Sequence, residues 1–172
     1  MNFFTKLKSD GAQLPPSPPL KSLMLAGVGS FLAISAIVFV NTILHETLAV
    51  SGFLASFGAS CLLVFGFPDA PFAQPRNVVA GHFTGSCIGL VCMAMFGNHW
   101  WSLAFALALT VVVMMSARIV HPPAASNPLI ISLAQPSWTF LFFPTLTGAV
   151  VLIAIALLYN NLTREAKYPK YW

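Results

Sequence analysis

Arg118-Ile119-Val120-His121-Pro122-Pro123-Ala124-Ala125-Ser126-Asn127-Pro128 interrupts a chain that is otherwise almost continuous apolar sequence. Three prolines fall here beside the polar side chains of Arg118, His121, Ser126 and Asn127. Such a stretch is either a water-facing loop or backbone left non-helical at membrane depth. The second is tolerated only where that backbone lines a cavity or is packed in protein. Which of the two holds decides whether the chain is a row of plain spans or a bundle built around a break.

Working outward, the chain is 58% hydrophobic and only 7% charged, against about 25% charged in soluble domains. It is therefore read as an integral membrane protein, an all-α polytopic helical bundle. At about 20 residues per spanning helix, its 172 residues allow four to six crossings and no separate soluble domain. The net charge of +4 would suggest nucleic acid in a soluble protein. Here the basic residues gather near the two ends, as Lys6, Lys8, Lys21, Arg164, Lys167 and Lys170, which reads as an orientation signal facing the cytoplasm. No basic stripe interleaves with aromatics, so nucleic-acid binding is set aside. Cys61, Cys87 and Cys92 lie in apolar runs without C-x-x-C spacing, so neither a metal site nor a disulfide is expected. No cofactor is expected either.

Six hydrophobic segments follow a tail, residues 1–21, in which Met1–Leu7 could form an amphipathic turn and Leu14–Pro19 is a stiff spacer. The first spans 22–43, with Gly27 and Gly29 inviting close helix contact, and Asn41, His45 and Glu46 mark its far end. The second, 51–67, is rich in small residues and short for a span. Its break, residues 66–77, carries Pro68, Asp69, Pro71, Gln74, Pro75, Arg76 and Asn77, and Asp69 and Arg76 are expected to pair across it. The third, 78–96, presents Gly81, Gly85, Ser86 and Gly89 on one face, with His82 in its first turns. Trp100 and Trp101 after the turn at Gly97-Asn98-His99 suit an interface. The fourth runs 102–117, the short fifth 124–133, and the sixth 139–159, which Pro144 should kink. A basic, aromatic tail closes the chain at 160–172.

These segments form two groups of three, 22–97 and 102–159, each long, short-and-broken, long. Three crossings is an odd number, so the second group would be an inverted repeat of the first. Paired broken segments in two halves point to a transporter's binding site. Six crossings would place Arg76 and Arg118 on the side of both tails. A four-crossing alternative makes segments two and five re-entrant.

The chemistry lies in the breaks. Pro122 and Pro123 fit the first turn of a half-helix, and the small Ala124, Ala125 and Ser126 would leave its free N–H groups open to an anion. Gly58, Ala59 and Ser60 could offer a similar surface from the other half. Arg118 and His121, three apart, would share one helical face. An intramembrane cation is a functional candidate, although Arg118 could equally snorkel to headgroups. His82 either lines a pathway or satisfies a backbone carbonyl. Asn77, Ser60, Ser126 and Asn127 could donate to an anion or bond local backbone. No nucleophile–base set or phosphate loop is present, so an enzyme is not expected.

Two blocks carry a resemblance. Gly58-Ala59-Ser60 through Leu63-Val64-Phe65-Gly66-Phe67-Pro68, then Pro71, Ala73-Gln74-Pro75-Arg76-Asn77 and Gly81-His82, resembles the hallmark of the HPP family of integral membrane proteins, and His121-Pro122-Pro123 matches the motif that names it. Where that family usually has glycines after the motif, this chain has Ala124-Ala125-Ser126-Asn127, with less backbone freedom. The resemblance implies transport of a small anion, nitrite in the cyanobacterial and plastid members, and no resident cofactor. The expected partners are membrane lipid and the anion, and the glycine faces, read on their own, point to a homo-oligomer of unspecified order. Its expected place is the bacterial inner membrane, both termini cytoplasmic. The alternative is a non-transporting scaffold or sensor, or a carrier of another small solute.

Overall fold

The computed structural model describes residues 7, 11–43 and 51–172. The expectations for Met1–Leu7, His45, Glu46 and the loop to Val50 lie outside these. Six α-helices are described: α1 (Leu20–Ile43), α2 (Ser51–Cys61), α3 (Pro75–Phe96), α4 (Trp100–Ser116), α5 (Asn127–Ala134) and α6 (Thr147–Thr163). No strand occurs among the described residues. Residues 20–43, 75–96 and 138–163 form helices long and apolar enough to cross a membrane. α2 continues as a wider π turn over Leu62–Gly66, so that the second segment reaches Gly66 as its apolar run requires.

α3 is the axis of the bundle, because its glycines let neighbouring backbone come close. A Cβ at Gly81 would stand 2.8 Å from His121 Cβ, and one at Gly89 2.9 Å from Pro128 Cα. At Gly85 it would overlap the carbonyl oxygen of Ala124. The order 121, 124, 128 against 81, 85, 89 shows that the break and α5 run parallel to α3. The fifth segment therefore traverses the same depth as α3, about 33 Å at 1.5 Å per residue. It does so by combining extended chain, a 3-10 turn over Pro122–Ser126 and an eight-residue helix. Of the two glycines expected to serve contact in α1, Gly29 lies on Phe65 and Tyr159, while Gly27 meets nothing.

α4 ends in a Schellman motif. Arg118 N–H donates to Met115 O and Ile119 N–H to Met114 O, with Arg118 at φ 57° in the left-handed position that glycine usually fills. Ile119 and Met114 supply the accompanying apolar contact. This corrects the shared helical face for Arg118 and His121: the chain reverses between them, leaving Arg118 exposed at the bundle's end and His121 wholly buried. The sixth segment is irregular where Pro144 stands, with Phe143 out of helical geometry (φ −129°, ψ 116°).

The basic tail is a strap. Tyr168 is buried, its hydroxyl donating to Ala73 O at 2.7 Å, and burial pushes its phenol pKa up, keeping the proton it donates. Lys170 N–H donates to Gln74 Oε1 and Tyr171 OH to Pro71 O. Asp69 does not pair with Arg76 as expected. It bonds Arg164 and Lys170 of the strap, while Arg76 Nη2 donates to Ala117 O. Partial burial opposes the charge on Asp69, but the hydrogen bond from Lys170 and the charge of Arg164 more than offset it and hold the carboxyl below its ordinary range. Lys21, Arg76, Arg118, Arg164, Lys167 and Lys170 all lie toward this one end. The opposite end presents Asn98, His99, Trp100, Trp101 and Trp138.

Candidate functional site

Three segments bring their polar side chains to one buried point. Ser60 Oγ, on α2, stands 3.0 Å from His82 Nε2 on α3 and 2.8 Å from His121 Nε2 in the break. All three residues have no solvent exposure. The imidazole centroids are 5.1 Å apart, and Phe57 covers His82 from the other side at 4.7 Å. His121 Nδ1 lies 2.7 Å from Phe72 O, a group that only accepts, so this nitrogen carries the proton.

Asn127, also fully buried, is the second hub. Its Oδ1 accepts from Ser56 Oγ, which also donates to Pro123 O, and its Nδ2 reaches His82 O, Ser86 Oγ and, at 3.3 Å, His82 Nδ1. Ser86 in turn meets Thr145 at 3.0 Å. A polar chain thus runs from the Phe72 carbonyl, at the basic end, to Thr145 about halfway along α3. Polar groups withdrawn from water this deeply are expensive unless paired, and here each finds partners in a different segment. The two breaks in the sequence are what let those partners converge.

The expected anion site at the start of the half-helix takes a different form. Ala124 N–H is not free: it donates to His121 O at 3.0 Å within the 3-10 turn. Ser126 Oγ donates to Pro123 O, and Ala125 and Ser126 are half-buried. Pro122 is exposed and Pro123 buried. Segments two and five do lie side by side, as the bond from Ser56 to Pro123 shows. Between them is an open groove of about 650 Å³, lined by Ala55, Ala59, Leu62, Pro122, Ser126 and Leu129 among others. Ala59 faces this groove, while Gly58 lies beside it with open space where a Cβ would be.

The remaining motif residues build the loop under His121. Pro68 and Gln74 are buried, and Gln74 Nε2 donates to Pro68 O and Ala70 O. Pro75 opens α3. Asn77 Nδ2 donates to Val120 O and pins the break from below. Arg118 joins none of this, and Arg76 bonds the end of α4. Sequence reasoning passed over Ser56, Ser86 and Thr145 as site residues. The spacing held the signal for two of them, since Ser56 and Ser60, like His82 and Ser86, are four apart on one helix face. Among the described residues no group of three or more His, Cys, Asp or Glu is placed to hold a metal. All three cysteines are free thiols.

A family model for the HPP transmembrane region matches residues 15–169. The chain belongs to the HPP transmembrane family. Two transmembrane proteins of Dictyostelium discoideum are similar to it. One is 30% identical over 181 residues, covering 100% of this chain and 64% of the relative, and the other 32% identical over 183 residues, covering 100% and 58%. The chain spans about three-fifths of the length of these curated relatives. No solved structure matches it. Within this HPP protein the His121-Pro122-Pro123 motif has a plain physical meaning. The two prolines hold the chain out of a regular α-helix, and the histidine that precedes them turns inward to Ser60.

Proposed function

We propose that this HPP protein moves a small inorganic anion, nitrite foremost, across a membrane, and that it is a transporter and not an enzyme. The observation that carries the reading is the meeting of two imidazoles and a hydroxyl from three segments, beside two broken spans. Buried polar groups of this kind in a membrane bundle mark solute or ion pathways. The opposed courses of α2 and α5 support an inverted relation between the halves, with the groove between them as the solute's route. The glycine face of α3 is filled by the chain's own break and α5, so a homo-oligomer in lipid would meet through exposed apolar side chains instead. The family likeness favours nitrite.

The test is uptake into liposomes holding the purified full-length chain, with nitrite, nitrate, formate and chloride offered separately. The expected result is nitrite entry well above that of protein-free vesicles. Rates equal to empty vesicles for all four anions would end the proposal.

Orientation is part of the same reading. The basic end faces the cytoplasm by the positive-inside rule, with both tails there, in a bacterial inner membrane. A cysteine placed at Asn98 should then react with an impermeant thiol reagent from outside the cell alone. Reaction only after the membrane is opened would reverse the orientation.

A further inference from the structure

We propose that His82, Ser60 and His121 form a proton relay, so that one proton crosses with each anion; this rests on the transport reading above. The argument starts from which atom holds which hydrogen. Asn127 Nδ2 is fixed as an amide nitrogen because it also faces His82 O, which can only accept. Its two hydrogens are shared among Ser86 Oγ, His82 O and, at the longest distance, His82 Nδ1; since an amide nitrogen cannot accept from an Nδ1–H, in a neutral ring the proton of His82 sits on Nε2, facing Ser60. His121 is the reverse: Phe72 O holds its proton on Nδ1, which leaves Nε2 as an acceptor. One arrangement of two neutral rings meets all four contacts. His82 Nε2–H donates to Ser60 Oγ at 3.0 Å, and the Ser60 hydroxyl donates to His121 Nε2 at 2.8 Å; Ser60 Oγ also lies 3.0 Å from Ser56 O in its own helix, the farther of the two acceptors open to its one hydrogen.

A chain with every donor pointing the same way can pass a proton without moving a heavy atom. A proton arriving on His82 Nδ1 comes from the anion's conjugate acid or from water in the site, and it replaces the Asn127 contact, whose 3.3 Å is the longest of the chain. The Nε2 proton of His82 passes to Ser60 Oγ, and the former Ser60 proton passes to His121 Nε2. His121 becomes an imidazolium bonded to Phe72 O. His82 is left neutral with its proton on Nδ1, and Ser60 is unchanged. One proton has entered and one positive charge has moved toward the basic end; the cycle closes when His121 gives its Nδ1 proton to water at that end, in place of Phe72 O, and both rings turn over to restore the starting tautomers. While the proton is shared, the pair carries the charge that an anion requires, which the satisfied Ala124 N–H does not supply. The anion and its charge partner therefore enter together.

Among the described residues, no other titratable group bonds Ser60, His82 or His121, and α3 itself adds only Arg76 and the thiols of Cys87 and Cys92. α4 and α5 contain no titratable residue, α6 contains only Tyr159 and α1 only Lys21. α2 offers the buried thiol of Cys61, and the strap offers Tyr168 and Tyr171, which bond the loop backbone. Asp69, Arg76 and Arg118 are exposed at the end of the bundle.

The test uses the full-length chain in liposomes, with nitrite and the strong-acid anion nitrate as probes. Valinomycin and potassium set the membrane potential, and buffers of different pH inside and outside set the pH gradient. An acid exterior at zero potential should drive uptake, and a potential without a pH gradient should not. Ser60→Ala should lose most of the pH-driven component, roughly a hundredfold where proton transfer limits the rate, and Ser60→Thr, which keeps a hydroxyl, should recover part of it. Uptake driven by potential and indifferent to pH overturns the relay while leaving transport standing, as does a folded Ser60→Ala with undiminished pH-driven uptake. Should Ser60→Ala fail to elute as a single species, the comparison of pH with potential in the parent chain still decides. Absence of any anion flux removes both proposals.

Discussion

Gly85→Val is expected to leave no protein that elutes as a single species from detergent. A Cβ here overlaps the carbonyl oxygen of Ala124 and reaches Asn127 Cβ at ordinary contact distance, 3.5 Å, so the obstacle is backbone that cannot rotate away. Forcing extra carbons into a packed core costs about 1–3 kcal/mol, and valine at this site falls at or beyond the upper end. The damage is also placed where it spreads, because displacing Ala124 withdraws His121 from Ser60 and Asn127 from Ser86. Gly27→Val is the matched control, since a Cβ there meets nothing within 4 Å and the change should be silent. Equal thermal stability for the two variants in the same detergent would show that the break is not seated on α3 as described.

Asn127→Ala should be nearly as damaging to stability and more informative about function. The amide serves Ser56, His82 and Ser86 at once. Ser56 and Ser86 retain Pro123 O and Thr145 as partners, so the loss falls mainly on His82 and on the space vacated. An orphaned buried polar group plus a small cavity amounts to roughly 2–4 kcal/mol. With nothing to hold His82 Nδ1 as an acceptor, either ring nitrogen can carry the proton. The fraction of molecules that still folds should then transport at a reduced rate, while a purely structural Asn127 would give folded protein of normal flux. Measuring flux per folded molecule, with thermal melting alongside, separates the two.

Much of the architecture can be read from residue order, for identifiable reasons. Apolar runs of spanning length need no tertiary context, so all six segments stand within a few residues of where the hydropathy places them. The glycine face of α3 was also legible, because spacing by four on a helix is local information. The pairing of Asp69 was not. Arg76 is seven residues away and Arg164 is 95, and nothing local reveals that a tail returns to dock. The geometry of Arg118 was lost for a related reason: a left-handed residue at a helix end is usually glycine, so an arginine there gives no warning that the chain reverses. At the site, the sequence proposed Ser60, Asn77, His82, His121 and Ser126 as a lining set, with Asn127 as a further candidate; the fold gathers Ser60, His82, His121 and Asn127, while Asn77 and Ser126 bond the backbone of the break. What residue order concealed was that the 3-10 turn consumes the Ala124 N–H, and that the histidines face each other across a hydroxyl.

The strap has a bearing on how the protein is made. Tyr168 reaches its partner Ala73 across 95 residues of sequence, and at about 5–20 residues added per second the ribosome needs roughly 5–20 s to supply it. Throughout that interval the Pro68–Pro75 hinge lacks the Tyr168 hydroxyl, the Lys170 amide and both cationic partners of Asp69. The floor beneath His121 is thus completed only after the residues of α1 to α6 have been made, which makes the seating of that loop a late step in biogenesis.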